Sequence, residues 1–110
     1  MKMTRGAELL RQLILLRHDP DVAAALRAEA MKGDLDAQYG LGLVYAEGRG
    51  VEQDEVEAYA WLSVAMLGGD PDAEALRDVV ARDLASDNIQ SALARATAYV
   101  VQIDSDEIRH

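Results

Sequence analysis

The chain has 110 residues, half of them hydrophobic, no cysteine and a formal net charge of −9. That length and apolar share bound a single domain with a modest core, and the lack of cysteine excludes disulfides, thiolate metal sites and a cysteine nucleophile. Abundant Ala, Leu and Glu with only two prolines favour an all-α protein.

The charge is uneven. Residues 1–33 carry net +2, residues 34–87 net −10 and residues 88–110 net −1. The middle segment would repel nucleic acid and anionic lipid, and would steer a basic partner toward it. No apolar run approaches the length of a membrane span. At the start, Lys2 and Arg5 precede leucines, but Glu8 and Arg11 interrupt them and no small-residue cleavage site comes after. The expectation is an uncleaved, cytoplasmic protein.

Six helices are expected. The first covers about 5–17, with Leu9, Leu10, Leu13, Ile14 and Leu16 apolar. The second covers about 20–32, capped by Asp19 with Pro20 at its first position, where a missing N–H is harmless. The third runs over 35–47 and ends at Gly48; the loop after it holds Gly50. The fourth covers 54–67, with Asp54 as cap and Glu57 three residues on in the manner of a capping box. Gly68 and Gly69 end it. The fifth covers 71–84 with Asp70 as cap, and the sixth 87–103 with Ser86 as cap. Residues 104–110 are expected to fray.

Two hexamers, GDLDAQ at 33–38 and GDPDAE at 69–74, stand 36 residues apart. In each, Gly is a left-handed stop for one helix and the Asp after it is the N-cap of the next. Acids then meet the positive end of the helix dipole. Ala37 and Ala73 keep each helix start thin. Equal joints at this period, with two helices between them, mark a helical solenoid.

Between the joints stand Ala37, Gln38, Leu41, Gly42, Tyr45, Gly48, Gly50, Val51, Asp54, Ala58, Trp61, Ala65 and Gly69. In order and spacing they resemble the Sel-one-like repeat, a branch of the tetratricopeptide superfamily; Met66 replaces one further Ala of its pattern. The complete repeat covers about 34–69. Residues 19–33 resemble the second helix of a preceding repeat, with Ala25 where Trp61 would fall. Residues 70–84 resemble the first helix of a subsequent one, with Arg77 and Asp78 in place of the Leu-Gly pair. Residues 86–96 loosely resemble a closing helix. The resemblance implies a short α/α superhelical solenoid over 19–103, with an added helix at 1–18 and a capping helix at its end. It also implies a protein-binding adaptor without a catalytic site. Independently of the name, Gly40 and Gly42 each weaken their helix by about 1 kcal/mol, which is tolerated where a neighbour must approach closely. Tyr45 and Trp61 are expected to fill the space between helix pairs.

No chemistry stands out. His18 and His110 sit far apart in sequence, so no shared metal site is expected. Glu52, Asp54, Glu55 and Glu57 cluster where a helix begins, which acids favour without any catalytic duty. No Ser/His/Asp set, phosphate loop or cofactor motif is found.

One face is more informative. Tyr39, Leu43, Ala46 and Glu47 lie opposite the repeat's packing positions, and the matching face of the fifth helix holds Val79 and Arg82. Tyr39, Leu43, Glu47, Val79 and Arg82 are therefore the candidate contacts for a protein or peptide partner, and the acidity favours a basic one. The alternatives are a structural subunit that self-associates through Leu9, Leu13 and Leu16, a homodimer above all, and an acidic inhibitor that mimics nucleic acid. Contact with nucleic acid or membrane, a metal and a cofactor are not expected.

Overall fold

The computed structural model describes residues 20–108; the helix expected over 5–17, Asp19, His18 and His110 lie outside the described residues. Among these residues the chain forms five helices and no strand: α1 (Pro20–Met31), α2 (Leu35–Glu47), α3 (Glu55–Leu67), α4 (Ala73–Ala81) and α5 (Ser86–Ile108).

The joints obey local chemistry. At the first, Gly33 has φ 95°. Its N–H bonds Ala30 O at 3.1 Å, and the Asp34 N–H bonds Glu29 O at 3.2 Å. These two bonds are the Schellman closure of a helix end. The Asp34 side chain then accepts from Ala37 N at 2.9 Å and opens α2. The second joint repeats the closure: Gly69 has φ 103°, its N–H bonds Met66 O and the Asp70 N–H bonds Ala65 O, both at 3.0 Å.

The second joint departs in its other half. Asp70 does not cap a helix beginning at 71. Its Oδ1 accepts from Asp72 N at 2.8 Å, an Asx turn. The first carbonyl to take a helical bond is that of Asp72, from Leu76 N at 3.4 Å. Hence α4 starts at Ala73 and is shorter than the expected 71–84 at both ends. The capping box is also corrected. Asp54 accepts from Glu57 N at 3.1 Å as expected, but Tyr45 O takes the Asp54 N–H at 2.9 Å, so the Glu57 carboxylate is free to turn elsewhere. The last helix begins a residue early, because Ile89 N already bonds Ala85 O at 3.0 Å, and Ser86 is not its cap. It continues past the expected end at 103 and takes in part of the tail expected to fray.

Helix α3 is the centre. Every residue from Glu57 to Ala65 is buried, as a helix apolar on nearly all sides must be. Helices α2, α4 and α5 pack on it, α1 packs on α2, and α5 also touches α1. Gly42 admits α3: a Cβ there would meet Leu62 Cγ at 2.7 Å. Gly68 leaves room for Leu35 in the same way, since a Cβ there would collide with Leu35 Cδ2. Ala37 and Ala73 are buried at their helix starts, and Trp61 is fully buried, as expected of packing residues.

Candidate functional site

The expected partner contacts lie on α2 and α4, which both pack on α3. Tyr39 and Leu43 are half-buried at the edge of the core. Burial, and then the carboxylates of Asp72 and Asp70, push the Tyr39 phenol up from its ordinary value. That places Tyr39 beside the joint that leads into α4. Glu47 is exposed and pairs with Arg49 in the loop after α2. Val79 is 50% exposed. Arg82 is exposed and ends α4, its N–H bonding Val79 O. Tyr39, Leu43 and Val79 thus leave apolar area at the surface, while Glu47 and Arg82 stand at helix ends.

The sequence pattern does not single out a second cluster, which the fold assembles. Tyr99 of α5 stacks on Trp61 of α3, ring centroids 4.4 Å apart and 10° from parallel. The Tyr99 hydroxyl donates to Glu57, 2.8 Å from both carboxylate oxygens. Arg95 Nη1 donates to Glu57 Oε1 at 2.8 Å and lies 3.9 Å from Asp54 Oδ2. The Arg27 guanidinium of α1 stands 5.8 Å from the ring centroids of both Trp61 and Tyr99, within cation–π range. Its Nη1 donates to the Tyr45 hydroxyl at 3.3 Å. Burial first, then the bond to Glu57, push the Tyr99 phenol up; Arg27 acts against them.

This cluster ties α1, α2, α3 and α5 together. Glu57 is buried but its charge is paired and hydrogen-bonded, the condition under which a buried carboxylate is tolerated. A signal for Tyr99 exists in the sequence: Ala92, Ala96, Tyr99 and Ile103 recur at the spacing of one helical face. Nothing local points to Trp61 as its partner. Opposite, Arg77 lies 5.1 Å from the Tyr59 ring centroid and helps seat α4 on α3. Among the described residues no group of His, Asp and Glu is arranged to hold a metal ion, and no helix is long and apolar enough to cross a membrane. The self-association residues Leu9, Leu13 and Leu16 lie outside the described residues.

No family model and no solved structure matches the chain. Among curated proteins it is similar to the alginate biosynthesis protein AlgK of Azotobacter vinelandii, 36% identical over 61 residues. The match covers 56% of this chain, and the chain spans 13% of that relative's length. The likeness supports a helical repeat of the tetratricopeptide kind.

Proposed function

We propose that the protein is a non-enzymatic interaction module, a short superhelix of the Sel-one-like type that holds a protein or peptide on the outward face of α2 and α4. One observation carries this reading. The central helix is buried from Glu57 to Ala65, yet Tyr39, Leu43 and Val79 on the two flanking helices keep apolar surface open. Exposed apolar surface rimmed by charge is what a partner site needs. The chain's acidity favours a basic partner, met in the cytoplasm. The likeness to an alginate biosynthesis protein makes polysaccharide-assembly proteins the first partners to try.

Affinity purification with mass spectrometry tests the reading when it is run on wild type beside Leu43→Asp and Val79→Asp. A partner recovered by wild type and lost from both variants is the expected result, with the melting of Val79→Asp, at an exposed position, unchanged. A partner retained by both variants moves the site off this face.

Self-association through Leu9, Leu13 and Leu16 is the second reading. It is favoured by the single complete repeat, where about three are usually needed for stability. Sedimentation at micromolar concentration should show a dimer that Leu13→Asp breaks; a monomeric wild type removes the reading.

A further inference from the structure

A groove of about 440 Å³ lies where Gly33, after α1, and Gly68, after α3, meet the C-terminal half of α5. It shares no residue with the α2–α4 face. Its walls are apolar: Leu35 of α2, Val64 and Leu67 of α3, and Val100 of α5. Leu67 is 68% exposed, the most open large hydrophobic residue described.

The polar character of the groove has one sign. Asp104 is its charged lining residue, and among the described residues no Lys or Arg lines it. Gln38 also lines it, 2% exposed. Its Nε2 is committed to Ala30 O at 3.1 Å, and its buried Oε1 has no hydrogen-bond partner. Such an orphaned acceptor is uncommon in a folded chain and asks for a donor. Gly33 and Gly68 line the groove as well, so the C-terminal ends of α1 and α3 open onto it. Helix C-termini carry partial negative charge. The N-terminus of α2 is there too, but its cap Asp34 supplies a carboxylate of its own. Acceptors and negative potential around apolar walls suit one kind of side chain, an aliphatic stem that ends in a cation.

We propose that this groove receives a lysine or arginine side chain from a basic partner peptide. The stem lies along Leu67, Val64 and Val100, and the cationic head sits by Asp104 and the two helix ends. The net charge of −9 would steer such a partner to the protein. The inference does not depend on the α2–α4 face.

The test uses the full chain and a labelled hexapeptide that alternates leucine and arginine, beside a counterpart with glutamate for arginine. Backbone amide shifts and fluorescence anisotropy are measured. The arginine peptide should shift Leu67, Gly68, Val100 and Asp104, and the glutamate peptide should not. Asp104→Asn should weaken binding by about fivefold, the scale of one exposed ion pair. Leu67→Ser should weaken it as well; both side chains are exposed, so these variants keep the fold. Asp78→Asn on α4 removes the same charge elsewhere and should leave affinity within about twofold. Shifts confined to the α2–α4 face, no binding of the arginine peptide, or equal weakening by Asp78→Asn and Asp104→Asn would each overturn the proposal.

Discussion

Helices α2 and α4 are introduced by nearly the same six letters, yet one has thirteen residues with six buried and the other nine with two buried. The closure of the preceding helix is the same in both, because it needs only a left-handed Gly and two backbone bonds. The helix starts differ. Asp34 caps its helix, while Asp70 spends its side chain on a turn. Helix α2 also has α1 on one side and α3 on the other, while α4 packs chiefly on α3. A repeated motif therefore specifies its joint, and its neighbours decide how much helix the joint leads to.

The strongest way to break the comparison is to remove what holds the centre. Trp61→Ala should destabilise by about 3–5 kcal/mol in urea unfolding, since it empties a fully buried site and strips Tyr99 of its stacking partner. Val79→Ala, on the open side of α4, should stay within about 0.5 kcal/mol. Comparable losses at the two positions would mean that α4 is covered in solution.

Gly42 and Asp78 occupy matching places, 36 residues apart. Gly42→Ala should cost about 1–3 kcal/mol, because the new methyl meets Leu62. Asp78→Ala should instead gain up to about 0.5 kcal/mol through helix propensity, since Asp78 is exposed. A neutral Gly42→Ala would show that Leu62 moves aside freely. The caps give a smaller contrast. Asp34→Ala should lower stability by about 1 kcal/mol, and Asp70→Ala by about half as much, since Asp70 closes only a turn. Equal melting shifts would show that α4 begins at 71 in solution.

The last contrast appears in alkali. Tyr39 on α2 and Tyr99 on α5 are both pushed up from the ordinary value of a phenol, in each case chiefly by burial. Their contribution is whole below the unfolded value and is lost as pH rises through the folded one. Unfolding free energy should therefore fall above about pH 10. Tyr99→Phe and Tyr39→Phe should each flatten that decline; a slope unchanged in both variants would place the alkaline loss on other groups.

Much of the frame is legible in the sequence. The bounds of α2, the stops at Gly33, Gly48 and Gly69, the close approach at Gly42 and the burial of Trp61 can all be read from residues taken in order. Besides the Asp70 and Ser86 caps, two local patterns mislead. Glu57 looks like the far half of a capping box, but its carboxylate is held by Arg95 and Tyr99. The last helix looks finished at 103, but the face that carries Val100 and Ile103 packs on α3, and the helix continues to Ile108. The candidate partner face is legible as a pattern of residues; how open each one is depends on the packing, and Tyr39 and Leu43 prove half-buried.

The sequence by itself determined the bounds of α2 and the stops before Gly33 and Gly69, because a left-handed glycine, a capping carboxylate and the next turn's amides lie within a few residues of one another. Those energies are local and can be read locally. Only the tertiary structure decided that Tyr99 covers Trp61, that Glu57 bonds across 42 residues to Tyr99 and across 38 to Arg95, and that the ends of α1 and α3 frame an acidic-rimmed groove beside α5. Those contacts join segments far apart in the chain, and any of several helix arrangements would have satisfied the same local rules. The choice among them was made by which apolar faces could be buried together.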